Sequence, residues 1–214
     1  MPLDRLSAQP YSEGMVAASA WLTKPTLRGE LVHLRPFVAD DAGAMAAIFT
    51  DPDVRKLTGS VTSSDETFGV SPEPDEKTRE WYATRSTVDE RLDLAVVDVA
   101  SGDVVGEVVL NEFDAATRSA NFRTLLGPAA RGRGLGTEAA RLIIGHGFDV
   151  LGLHRIGLDV FAFNPRARRV YEKIGFVVEG VKRDAFVFDG EFVDEIWMSV
   201  LEHEWAEHRG HPDL

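Results

Sequence analysis

In ELVHLRPF (30–37) apolar side chains alternate with polar ones, the two-residue period of a half-buried strand. The pattern changes in ADDAGAMAAIFT (39–50), where acids precede a run of small and apolar residues. This predicts a helix with negative charge at its start, stopped by DPDV. VTSSDETFGVSPEPDE (61–76) is polar and rich in turn formers, hence a loop, and PDEKTREWYATRSTV (74–88) reads as a second helix. RLDLAVVDV and DVVGEVVLNEF are strands joined across ASGD, a hairpin, and SANFRTLLG (119–127) is a further strand. GTEAARLIIGHGFDVLG (136–152) is helical, with apolar residues at 139, 142, 143, 150 and 151 and Gly152 closing it.

Strand RIGLDVFAF, helix NPRARRVYEKIG and strand FVVEGVKRDAFVF follow, and Asp189-Gly190 turns the chain back into EFVDEIWMSVL as a two-residue hairpin. Strand–helix alternation in the middle, with antiparallel strands on both sides, predicts an α+β protein: one mixed, mostly antiparallel sheet layered with helices and ending in a β-hairpin. Residues 1–27 carry little periodicity beyond MVAASAWL and are expected to form a flexible or interface-forming arm. The domain proper is expected at 28–205, with a tail at 206–214.

Composition narrows the chemistry. The chain has no cysteine, so disulfides, thiolate metal sites and a cysteine nucleophile are excluded. MPLDRLSAQPYSEG lacks the apolar core of a secretory signal, and no apolar run is long enough to span a membrane. A cytoplasmic protein with no membrane partner is expected. A net charge of −12 argues against direct nucleic-acid binding. The charge is uneven, however. Between Arg118 and Lys173 ten Lys/Arg face four Asp/Glu, an excess of six positive charges that leaves −18 elsewhere. A basic island in an acidic chain fits a local polyanionic ligand, or simply solvated helix faces.

That island contains RGRGLGTEAA (131–140), in which glycines at 132, 134 and 136 precede helix-forming residues. Glycines leave backbone N–H groups open to an anion at a helix start. The loop is no P-loop, because no Gly-Lys-Ser/Thr follows. Gly134-x-Gly136-x-x-Ala139, with Asp159 about 20 residues on, matches a short dinucleotide fingerprint. Against it, GPAAR separates the loop from its strand, antiparallel strands precede it, and a long hairpin follows it.

Read instead as Arg-x-x-Gly-x-Gly, the loop resembles the central motif of the GNAT superfamily of acyl-CoA-dependent N-acyltransferases. LGPAARGRGLGTEAARLII, LHRIGLDVFAFNPRARRVYEKIGFVVEG and FDGEFVDEIWMSVLEHEW are similar to the RimJ/RimL branch, over roughly residues 28–205. The resemblance implies the GNAT fold, acetyl-CoA as co-substrate, and an amine of a peptide amino terminus or small molecule as acceptor. It assigns Arg131, Gly132, Arg133, Gly134, Leu135, Gly136 and Thr137 to the CoA pyrophosphate, with the Arg131 and Arg133 side chains on phosphate or in solvent. It sets the backbone of Leu125 and Leu126 against the pantetheine amides, Asn164 against the pantetheine arm, and one arginine of 166, 168 and 169, Arg169 being chosen, toward the 3′-phosphate. Family members are often dimers, which makes a homodimer an expectation.

Asn164-Pro165 is also a good helix N-cap followed by proline at the first helical position. Tyr171 lies seven residues on, about 700° around a helix, so the two share a face. In the family a tyrosine here protonates the departing thiolate, and a phenol of pKa ~10 suits a thiolate near ~8.5. The alternative is ordinary packing with Ile174. A base must accept the amine's proton, and where relatives carry a Glu this chain has Asn121, with Arg123 in place of a glycine. Glu107, beside Gly106, is the substitute candidate, followed by Asp184 and Asp194. The missing Glu also leaves open a non-catalytic acyl-CoA-binding module. His203 and His208 resemble a zincin pair but lie five apart, ~140° around a helix, so no metal is expected.

Overall fold

The computed structural model describes residues 21–209. Strands β1 (Leu27–Arg28) and β2 (Val32–Pro36) are followed by helices α1 (Asp41–Ile48), α2 (Pro52–Leu57) and α3 (Glu76–Thr84). Then come β3 (Leu92–Asp98), β4 (Val104–Asp114), β5 (Ser119–Leu126), α4 (Leu135–Asp149), β6 (Arg155–Phe161) and α5 (Pro165–Lys173). The long hairpin β7 (Val177–Phe188) and β8 (Glu191–Leu201) and the short helix α6 (Glu202–His208) complete the chain. MVAASAWL lies outside the described residues except for Trp21 and Leu22. No helix among the described residues is long and apolar enough to cross a membrane.

All eight strands form one sheet in the order β1-β2-β3-β4-β5-β6-β8-β7, antiparallel at every junction except β5–β6. The single parallel junction, reached through α4, rules out the doubly wound architecture that the dinucleotide reading requires. Asp189 and Gly190 both have positive φ, as their two-residue turn demands.

Two apolar clusters cover opposite faces of the sheet. On one face α4 packs Leu135, Ala139, Ile143 and Gly147, one turn apart, with Ala140 and Ile144 beside them, over Leu94, Val108, Leu110 and Phe122. Val150, expected in that apolar stripe, is exposed, because the helix has already ended at Asp149. Each fully buried aliphatic side chain contributes ~1.5–3 kcal/mol by leaving water. On the other face α1 and α3 bring Ala42, Met45 and Tyr82 onto Ala95 and Leu125.

The segment DPDV does not merely stop α1; it starts α2. Asp51 is the N-cap, accepting from the Val54 N–H at 2.9 Å, and Pro52 opens the helix. Trp21, inside the expected arm, is buried against Phe113, and the Lys24 ammonium donates to the carbonyls of Trp21, Val88 and Arg91. The expected tail likewise begins within α6, whose Trp205 is buried.

Candidate active site

The site begins where β5 and β6 part. They pair only through Ser119–Asn121 and Arg155–Gly157; beyond that point β6 bonds to β8 alone. The strands are parallel, so the helices that follow them, α4 and α5, both begin at the open end of the gap. Their N-terminal amides concentrate positive potential there. A cavity of about 630 Å³ fills the gap, lined by Gly132, Gly134, Gly136, Thr137, Asn164 and Tyr171 among others. Glu107, Leu125, Leu126 and Arg131 line it as well, whereas Arg133, Arg169 and the core residue Leu135, also singled out from the sequence, do not.

The glycine loop meets the demand for a cradle. Gly132 and Gly134 adopt φ of +77° and +81°, which residues with a Cβ avoid. Gly136 lies so close to β5 that a Cβ there would approach Leu126 Cδ1 to 2.6 Å. Among the described residues the main-chain N–H groups of 132–136 have no acceptor; Arg131 N donates to Pro128 O, and Thr137 N and Glu138 N to Gly134 O. Five successive amides without an acceptor at a helix start form an anion nest.

The two arginine side chains are already paired. Arg131 holds Asp51 at 2.6 Å and Asp53 at 3.2 Å, tying the loop to the cap of α2. Arg133 holds Asp98 at 2.5 Å, and that partner keeps the Asp98 carboxyl below its ordinary pKa. Both guanidinium groups are thus engaged by aspartates, while the backbone amides of the loop are not engaged by any acceptor among the described residues. Glu138, not anticipated from sequence, accepts from the N–H groups of Glu30, Leu31 and Val32 and pins the β1–β2 turn to the first turn of α4.

Asn164 caps α5, its Oδ1 accepting from Ala167 N at 3.1 Å, while facing the cavity. Arg166 lines the cavity; Arg169 is exposed away from it, and Arg168 pairs with Glu172. The Gly127 N–H donates to Val105 O, so ladder alternation turns the backbone of Leu125 toward β4 and that of Leu126 toward the gap. Gly106 permits this approach, since a Cβ there would lie 2.1 Å from Leu125 O.

Tyr171 is buried, its ring edge-on to Phe122 at 6.1 Å and 6.0 Å from Phe176. Its hydroxyl has no hydrogen-bond partner among the described residues, and burial raises its pKa. The predicted co-facing of Asn164 and Tyr171 holds, because both line one cavity.

Glu107 stands at the other side of the gap. Its Oε2 is sealed from solvent and without a hydrogen-bond partner. Burial, reinforced by the Asp93 charge, pushes its pKa up to about 7, against the pull of Arg123 and Arg91. Asp93 is itself held bidentately by Arg91 at 2.6 and 2.7 Å. Asn121 bonds to Asn111, and Asp194 accepts from the Asp184 N–H within the β7–β8 hairpin; neither aspartate lines either cavity described here.

A second cavity, of about 730 Å³, opens on the α1–α3 face of the sheet. Phe49, Ser60, Glu107 and Arg123 line both cavities. One space can therefore hold a donor, the other an acceptor, with a titratable carboxylate between them. Arg55 and Trp81, which line the second cavity, escaped sequence reading because nothing local distinguishes them from solvated helix positions.

Residues 32–177 match the acetyltransferase (GNAT) domain family, and the chain belongs to it. Spermidine N(1)-acetyltransferase of Escherichia coli is 37% identical over 109 residues, 50% of this chain and 59% of that protein, so the match spans little more than half of that relative. A GCN5-related N-acetyltransferase from Brucella melitensis superposes with a TM-score of 0.70 at 28% identity, over 88% of this chain and 83% of the other. Spermidine N-acetyltransferase from Vibrio cholerae, solved with CoA and spermine, shares the fold at a TM-score of 0.70 and 23% identity, over 83% and 99%.

Proposed function

We propose that the protein transfers an acetyl group from acetyl-CoA to a primary amine by direct attack within a ternary complex. The observation that carries this reading is Glu107: a carboxylate of pKa about 7 at the wall shared by two cavities, one of which ends in an anion nest. Acetyl-CoA would lie in the β5–β6 gap with its diphosphate on the amides of 132–136 and its pantetheine along the free edge at Leu126. The amine enters from the α1–α3 side.

The neutral amine attacks the thioester carbonyl and the C–N bond forms. The amine's proton passes to Glu107, which at pH near 7 is partly deprotonated and able to accept it. The C–S bond then breaks, and the Tyr171 hydroxyl donates its proton to the departing sulfur. The products are an amide and the free thiol, and exchange with solvent restores both side chains. Asn121 takes no part as a base; its amide is committed to Asn111. On the motif likeness we also place the chain in the RimJ/RimL-like branch, with residues 28–205 as the catalytic domain, and on its cysteine-free composition in the cytoplasm.

The test is release of free thiol from acetyl-CoA in the presence of a panel of primary amines, for the parent and for Glu107→Gln. Amine-dependent release that collapses in the variant supports the reading. Tight CoA binding with no release for any amine contradicts it.

A further inference from the structure

The second cavity contains two guanidinium groups, of Arg55 and Arg123, that no carboxylate among the described residues contacts directly. The Arg55 guanidinium has no hydrogen-bond or ion-pair partner among the described residues, and its Nη1 is shut off from solvent. A buried, unsatisfied guanidinium nitrogen is costly unless a ligand completes it. Arg123, on β5, likewise makes no hydrogen bond or ion pair among the described residues and lines both cavities. The other charged groups of this space are accounted for. Arg91 is consumed by Asp93, Asp75 caps α3 through the Thr78 N–H, and Lys77 and Glu73 are exposed. Glu107 faces the same space. Phe49, Val70 and Trp81 supply an apolar wall.

We propose that the acceptor is an amine that also carries a carboxylate, an amino acid with an apolar side chain, whose anionic end is received by Arg55 and Arg123 while its amine lies at Glu107. The proposal rests on the acetyl-transfer reading above and adds the substrate class. A guanidinium fork matches a carboxylate through paired N–H donors, and such charge-assisted bonds are among the strongest a site can offer. A polyamine with its reacting amine at Glu107 would instead bring a further cation toward Arg55 and Arg123. Arg123 could instead serve the donor cavity, but Arg55 lines only the acceptor side.

The experiment uses phenylalanine, leucine and methionine, each beside the amine that lacks its α-carboxylate, with spermidine as the polycation. Two readouts are taken on the full chain: calorimetric binding to the CoA-loaded protein, and kcat/KM for thiol release. The carboxylate members are expected to exceed their partners by at least about tenfold in both. Arg55→Gln and Arg123→Gln should each erase that preference, and Arg55→Gln, at a residue that lines only the acceptor cavity, should leave the Kd for CoA unchanged, whereas Arg55→Lys should retain part of it. Amines or spermidine handled as well as the amino acids, or a preference that survives both glutamine variants, would overturn the anion site while leaving acetyl transfer standing. Preferential binding of the carboxylates without thiol release would keep the anion site and sink the transfer. Binding of no member of the panel would overturn the anion site.

Discussion

Glu107 and Arg123 lie diagonally across β4 and β5: Glu107 is opposite Leu125, and Arg123, one pair further along the same face, is opposite Val109. At this spacing long side chains influence each other without direct contact. Arg123 lowers the Glu107 pKa while burial and Asp93 raise it, and the balance settles at about 7. A base titrating there is available at neutral pH yet still basic enough to take a proton from an amine.

The pH dependence follows from that balance. Glu107 must be ionised to act, so kcat/KM should rise through pH 7 and level off above it, until another group intervenes. Glu107→Gln should lose about 10²–10⁴-fold in rate, without that rise and with CoA affinity intact. A variant that retained the parental profile would show that the base lies elsewhere.

Stability should move the other way. The carboxyl is held at about 7 in the folded chain against an ordinary value of 4.5, so the folded state binds its proton more tightly than the unfolded state. Stability is therefore lost as pH rises from about 4.5 to 7, and the loss is complete above that range. Glu107→Gln escapes it. Thermal melts should find the variant at least as stable as the parent at pH 8, by up to roughly 1–3 kcal/mol, with the difference shrinking toward pH 5. A variant clearly less stable at pH 8 would mean that the carboxylate has a structural partner in solution.

Tyr171→Phe keeps the ring among Phe122 and Phe176 and removes only the proton donor. The melting temperature and KM should hardly change, while kcat falls by about 10²-fold or more. Steady-state kinetics decide the matter: kcat at the parental level would reduce Tyr171 to a packing residue.

Asp51 joins two tasks, capping α2 and holding Arg131. Asp51→Ala should cost roughly 1–2 kcal/mol of stability and weaken CoA binding, because the glycine loop loses its anchor. Calorimetry distinguishes this from the alternative. Tighter CoA binding would mean that the freed Arg131 prefers phosphate.

Much of this site was legible in the sequence because its signals are local. Three glycines in five residues announce close backbone approach, Asn164-Pro165 is a cap by composition, and the seven-residue step to Tyr171 fixes a common face. Aspartate-proline was equally local at Asp51-Pro52, but it looked like a stop to the preceding helix when it was also the start of the next. What could not be read are the pairings between distant segments. Arg131 finds Asp51 from 80 residues away and Arg133 finds Asp98 from 35, so two arginines expected at phosphate or in solvent are structural ties. The converse holds for Arg55 and Arg123, whose lack of partners becomes visible only when α2 and β5 meet around one cavity. Periodicity marked the apolar stripe of α4 but not its end, which left exposed Val150 on the buried side.

The central claim is that the backbone of the glycine loop grips the diphosphate of coenzyme A. The most direct measurement follows the amide resonances of residues 132–136 in ¹⁵N-labelled protein while CoA is titrated in. Their shifts should be among the largest in the spectrum and should saturate together with calorimetrically measured binding. CoA binding that leaves those five amides unmoved would contradict the claim.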